Sequence, residues 1–212
     1  LKLDKKSLLL YAVTDRTWLN GRNLADDVEK TLQGGATFVQ LREKDASFEE
    51  FVEQAKEVKA VCKKYGVPFV INDNIEVALA VDADGVHVGQ SDMEAGSVRE
   101  KIGSDKIIGV STRTVEEALL AKERGADYLG VGAMFNTSTK LDASEVSFAE
   151  LKEICGTVDL PVVAIGGISL NNVEELQGTG IDGVAVVSAL FAAKDIKNAS
   201  KEMKLKLDKV VN

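Results

Sequence analysis

Eight apolar, β-branched runs of strand length recur along this chain: Leu8 to Val13, Phe38 to Leu41, Pro68 to Ile71, Gly85 to Val88, Ile107 to Val110, Tyr128 to Val131, Val162 to Ile165 and Val184 to Val187. Between them, polar and apolar residues alternate at helical spacing, as in Phe48, Phe51, Val52, Ala55, Val58 and Val61 ahead of Tyr65. Strands this continuously apolar, joined by helices, form a parallel sheet covered on both faces, and eight βα units close into a (β/α)8 TIM barrel. With 212 residues, 45% of them hydrophobic, the chain can bury one large core, so residues 1–212 are read as a single domain. A doubly wound open sheet would carry a glycine-rich phosphate loop after its first strand, where this chain has Thr14-Asp15-Arg16-Thr17-Trp18. Short echoes, Gly125-Ala126-Asp127 and Gly180-Ile181-Asp182, precede two of the strands and suggest that half-units look alike.

Charge and composition exclude several classes of function. A net charge of −8 leaves no electrostatic footprint for nucleic acid or an anionic membrane, so an anionic ligand must be held locally. The apolar run after Lys5 and Lys6 is too short for a signal-peptide core or a membrane span. Two cysteines, Cys62 and Cys155, make neither a disulfide framework nor a thiolate zinc site, and fit a reduced cytoplasmic chain. With His87 the single histidine, a histidine-rich metal centre is excluded. Carboxylates, lysines and backbone amides remain.

Barrel chemistry sits at the carboxyl ends of the strands, which directs attention to the residues there. After the second run, Gln40, Arg42 and Lys44 share one face by the strand period of two, while Val39 and Leu41 take the other, so that a glutamine and two cations are expected to face inward. The third run ends in Asn72-Asp73 and the fourth leads to Ser91-Asp92. Carboxylates past neighbouring strands can approach one cation, and two of them suit magnesium, which keeps several waters; both are equally suited to capping helices. His87 is expected to support the site rather than act as a general base, and Ser111 is either a ligand contact or a helix cap. Thr137, Ser138, Thr139 and Lys140 supply hydroxyls and a cation suited to phosphate oxygens. Gly166, Gly167 and Ser188 lie after the last two runs, the usual phosphate site of such barrels.

Taken in order, QLREK at 40–44, IND at 71–73, ADGVHVGQSD at 83–92, GVS at 109–111, TSTK at 137–140, AIGGI at 164–168 and VVS at 186–188 resemble the thiamine-phosphate synthase family over nearly the whole chain. The resemblance implies a TIM barrel that joins an aminopyrimidinylmethyl diphosphate to a thiazole phosphate, releasing pyrophosphate. It implies that Gln40, Leu41, Arg42, Glu43, Lys44, Asn72, Ser111 and Lys140 line the pyrimidine diphosphate site and that Asp73 and Asp92 hold magnesium. It further implies that Thr137, Ser138, Thr139, Gly167, Val187 and Ser188 bind the thiazole phosphate, with Arg42, Lys44, Lys140 and Ser111 serving the reaction. The expected partners are therefore small molecules rather than nucleic acid or membrane. A thiazole tautomerase of the same superfamily would need an acid or base near the fifth strand, where relatives of that kind carry a histidine and this chain has Ser111-Thr112-Arg113. A non-catalytic barrel that binds thiamine intermediates is the alternative of a different class.

Overall fold

A computed structural model describes residues 3–90, 98–136 and 145–211. Eight parallel strands close into a barrel in chain order: β1 (Leu10–Val13), β2 (Phe38–Leu41), β3 (Phe69–Asn72), β4 (Gly85–Val88), β5 (Ile107–Thr112), β6 (Tyr128–Val131), β7 (Val162–Ile165) and β8 (Gly183–Val186). Around them run α1 (Leu24–Gln33), α2 (Phe48–Tyr65), α3 (Ile75–Ala80), α4 (Val98–Ile102), α5 (Val115–Glu123), α6 (Phe148–Thr157), α7 (Ser188–Phe191) and α8 (Ile196–Val210). The TIM barrel expected from the strand pattern is the fold found.

Helix starts follow local side-chain chemistry. Asn23, Ser47, Asn74, Thr114, Ser147 and Asp195 each accept backbone N–H groups of the following turn, and Ser47 with Glu50 forms a reciprocal capping box at α2. Two expectations change at this level. The first strand begins at Leu10, because Asp4 caps a 3-10 turn over Lys5–Leu8. The connection from β7 to β8 holds a single 3-10 turn, Val173–Leu176, in place of an α-helix, since Gly178 and Gly180 adopt positive φ and cut the helical run short. No helix among the described residues is long and apolar enough to cross a membrane.

The period of two sorts the strands cleanly. Leu10, Ala12, Val39, Leu41, Ile71, Val86, Val110, Leu129 and Val184 pack outward in the layer shared with the helices. Tyr11, Val13, Phe38, Val70, Ile107, Tyr128, Val163 and Ala185 fill the interior. Leu41, which the resemblance implies for the pyrimidine diphosphate site, follows the same rule. Its side chain is fully buried on the outer face, so only its backbone can reach the barrel mouth.

The repeated aspartates before strands are latches. Asp84, Asp127 and Asp182, just ahead of β4, β6 and β8, accept the backbone N–H of Phe69, Ile108 and Val162 at the starts of β3, β5 and β7, at 2.8, 2.8 and 3.0 Å. Thr37, ahead of β2, does the same for Leu10 through its hydroxyl at 3.0 Å. The barrel floor is thus tied four times, each time within an odd–even strand pair. Replacing Asp84 with alanine strands the Phe69 N–H, and is expected to lower stability by about 1–3 kcal/mol in urea unfolding. The folded variant should keep its activity, because this latch lies at the end of the barrel opposite the mouth.

Candidate active site

Around the mouth, charged side chains that follow β1 and β2 interlock. The Thr14 hydroxyl accepts the backbone N–H of Arg42 at 3.0 Å, and the Arg42 guanidinium reaches Asp15 at 3.5 Å. Asp15 is itself fixed, because its other oxygen caps the 3-10 turn Arg16–Trp18. Arg16 pairs with Glu43 at 3.4 Å. The Glu43 side chain is only 4% exposed, and its Oε1 has no hydrogen-bond partner among the described residues. Burial pushes the Glu43 carboxyl above its ordinary range, with Arg16 pulling in the opposite direction. Asp15, Arg16, Arg42, Glu43 and Lys44 enclose a hollow of about 220 Å³. Gln40 faces inward, as the strand period requires, but it is buried one layer below Arg42, and Lys44 lies past the strand end in solvent.

Between β3 and β4 the backbone answers the question left open by position. Asn74, and not Asp73, caps α3 by accepting the Val77 N–H. Asp73 is instead held at φ +60°, with its backbone N–H on the His87 carbonyl and one carboxylate oxygen receiving the Asn72 amide at 2.6 Å. It is exposed on a groove of about 750 Å³ that Lys44 and Asn72 also line. Asp92 lies outside the described residues, as do Thr137, Ser138, Thr139 and Lys140. Among the described residues no group of three or more metal-ligating side chains comes together.

Ser111 belongs to β5 and caps nothing; Thr114 starts α5. Its hydroxyl meets His87 Nε2 at 2.9 Å, and His87 Nδ1 meets the Tyr128 hydroxyl at 2.9 Å. Tyr128 then contacts the Tyr11 hydroxyl at 2.8 Å, and Tyr11 receives the Gln40 side-chain N–H at 2.6 Å. Five side chains from five strands therefore form one hydrogen-bonded chain across the interior. Tyr11 and Tyr128 are nearly inaccessible to solvent, and burial is the leading cause that holds both phenols above their ordinary pKa, so each remains a neutral donor. His87 thus bridges Ser111 and Tyr128 through its two ring nitrogens.

The tyrosines were missed as site residues, although a signal for them exists. Gly109 and Gly130 occupy inward positions of β5 and β6, where barrels usually place branched side chains. A Cβ at Gly109 would overlap the Tyr128 ring, and one at Gly130 would lie 3.1 Å from His87. Two inward glycines in phase with inward Tyr11, His87 and Tyr128 mark space reserved for rings.

Gly166 and Gly167 follow β7 at φ +95° and +67°. The Phe135 N–H reaches the Gly166 carbonyl at 3.0 Å, and a Cβ on Gly167 would press on the Phe135 and Asn136 carbonyls at 2.6 and 2.5 Å. The loops after β6 and β7 are therefore built against each other at Phe135 and Asn136. Val187 packs on the interior cluster, and Ser188 opens the short α7 at the same end of the barrel.

The family described as thiamine monophosphate synthase matches residues 10–190. A thiamine-phosphate synthase of Clostridium tetani is 52% identical over 194 residues, covering 92% of this chain and 93% of its own. One of Clostridioides difficile is 51% identical over 203 residues, covering 96% and 97%. The solved structure of thiamine phosphate pyrophosphorylase from Pyrococcus furiosus superposes with a TM-score of 0.89 at 40% identity, covering 98% of this chain and 99% of that one.

Proposed function

Because the chain belongs to the thiamine monophosphate synthase family and condenses an aminopyrimidinylmethyl diphosphate with a thiazole phosphate, we propose that it does so by dissociative displacement, with departure of pyrophosphate ahead of attack. The observation that carries this reading is the composition of the mouth. Arg42 and Lys44 stand where a diphosphate can be neutralised, while His87, the obvious candidate base, is engaged through both ring nitrogens inside the barrel. An electron-rich aminopyrimidine can carry positive charge at its exocyclic methylene, so no protein nucleophile is required. The thiazole nitrogen then attacks that carbon, forming the new C–N bond as the C–O bond to diphosphate is already broken.

Asp73 and Asp92 are the residues proposed to hold magnesium. The fit rests on donor chemistry: Asp73 offers a hard carboxylate oxygen, is not consumed by helix capping, and borders the groove that Lys44 lines. When bound, magnesium would supply charge neutralisation to the leaving diphosphate. Arg42, held by Asp15 and Thr14, orients the diphosphate; Lys44 and Lys140 add positive charge; Gln40, Asn72 and Ser111 position the pyrimidine. Thr137, Ser138, Thr139, Gly167, Val187 and Ser188 are assigned to the thiazole phosphate. The free thiols Cys62 and Cys155 support a cytoplasmic setting.

A single-turnover series with substituted pyrimidines tests the route. An electron-withdrawing substituent that destabilises the developing cation by about 3 kcal/mol is expected to slow chemistry by roughly 10²-fold. Rates that stay flat across the series, with chemistry rate-limiting, would establish concerted displacement instead.

A further inference from the structure

We propose that Tyr11, Tyr128 and His87 are positioning residues whose hydrogen-bonded chain, anchored on Gln40, fixes His87 as the Nε2–H tautomer and turns the Ser111 hydroxyl proton toward the barrel mouth. The inference deepens the proposed function, since it rests on Ser111 contacting substrate there.

The direction of donation follows from counting protons. The Gln40 amide nitrogen can only donate, so the Tyr11 oxygen accepts from it. Tyr11 then gives its own proton to Tyr128, and Tyr128 gives its proton to His87 Nδ1. With Nδ1 an acceptor, the ring's one proton sits on Nε2 and is donated to Ser111 Oγ. Ser111, having received a proton from behind, directs its own away from the histidine. In the opposite order the Tyr11 oxygen would receive from both neighbours, and its own proton would have no acceptor among its described hydrogen-bond partners in this buried layer. Each link in the favoured order is satisfied once, and the glycines at 109 and 130 provide the space that lets two rings align.

This arrangement gives the interior a task beyond filling space. A serine hydroxyl at a strand end ordinarily rotates among several acceptors, and a hydroxyl held by a neutral imidazole of fixed tautomer presents one donor direction to the ligand. None of the three residues needs to touch substrate for this to matter.

Because His87 is the only histidine in the sequence, ¹⁵N-histidine labelling reports on one imidazole without assignment. The wild-type protein is expected to show a protonated Nε2 and an unprotonated Nδ1. Tyr128→Phe keeps the ring but removes the donor to Nδ1. It is expected to release the tautomer preference and to lower kcat about tenfold, in the range typical of groups that orient a ligating or catalytic side chain, with KM for both substrates changed less than twofold. Tyr11→Phe, one link further back, should move both readouts in the same direction and by less, and it decides the matter if Tyr128→Phe does not fold. A wild-type imidazole protonated on Nδ1, or a folded tyrosine variant that leaves both tautomer and kcat unchanged, would overturn the proposal. Ser111→Ala separates the two levels: full kcat in that variant, with the Nε2–H tautomer still present in the wild type, removes the substrate contact of Ser111 and with it the positioning role, while the histidine geometry stands.

Discussion

Substituting Asp73 with asparagine is expected to reduce pyrophosphate release by about 10²–10³-fold, the scale on which a single electrostatic stabiliser acts at a reacting centre. Asparagine is the informative replacement. Asp73 sits at φ +60°, a conformation asparagine tolerates and alanine resists, and the amide oxygen can still receive the Asn72 side chain. Because Asn74 already caps α3, the helix keeps its start. The urea midpoint should therefore stay close to that of the wild type while activity collapses and the requirement for magnesium rises. Asp92, outside the described residues, is expected to behave alike. Near-normal turnover of the Asp73→Asn protein at limiting magnesium would remove the carboxylate pair from the mechanism.

Gly109→Ala should be strongly damaging, because its added methyl meets a ring in the barrel interior. The added carbon would fall within the Tyr128 ring, which is packed edge-on against Tyr11 and Phe38 at centroid separations of 5.9 and 5.7 Å and has no room to retreat. Overpacking of this kind costs about 1–3 kcal/mol, and the displaced ring would also break the hydrogen bonds to His87 and Tyr11. A double-mutant cycle isolates the cause. In a Tyr128→Leu background the same alanine should cost far less, leaving a coupling energy of about 1–3 kcal/mol in denaturant unfolding. Additive losses would show that Gly109 is required for its backbone alone.

Much of the fold was legible because burial on both faces makes each strand an apolar block: β2, β4, β6 and β7 match their expected limits residue for residue. The period of two also placed Gln40 inward and Leu41 outward, ahead of any coordinates. Where the sequence was silent, the cause is tertiary. Glu43 follows the strand and looks solvated, yet Arg16 and the turn capped by Asp15 close over it. Tyr128 reads as another apolar strand residue, since only the ring space opened by Gly109 on the neighbouring strand shows that its hydroxyl has somewhere to go. The β7 to β8 connection follows helical spacing but ends after one 3-10 turn, where two glycines take positive φ. Asp73 could not be distinguished from a helix cap until the neighbouring Asn74 was seen to fill that role.

The latches on the barrel floor carry a consequence for chain entropy. Each closes a short loop, from 15 to 27 residues between the paired groups, whereas the contact between β1 and β8 joins Leu10 to Val184 across most of the chain. Loop-closure entropy grows with the logarithm of length, so that last pairing costs about 2 kcal/mol more than any latch-bound pair. At the floor it is backed by an ion pair from the solvent-exposed Lys5 to Asp182, which is worth little. The molecule is thus a row of four locally secured strand pairs, and joining β1 to β8 is the long-range step that completes the ring.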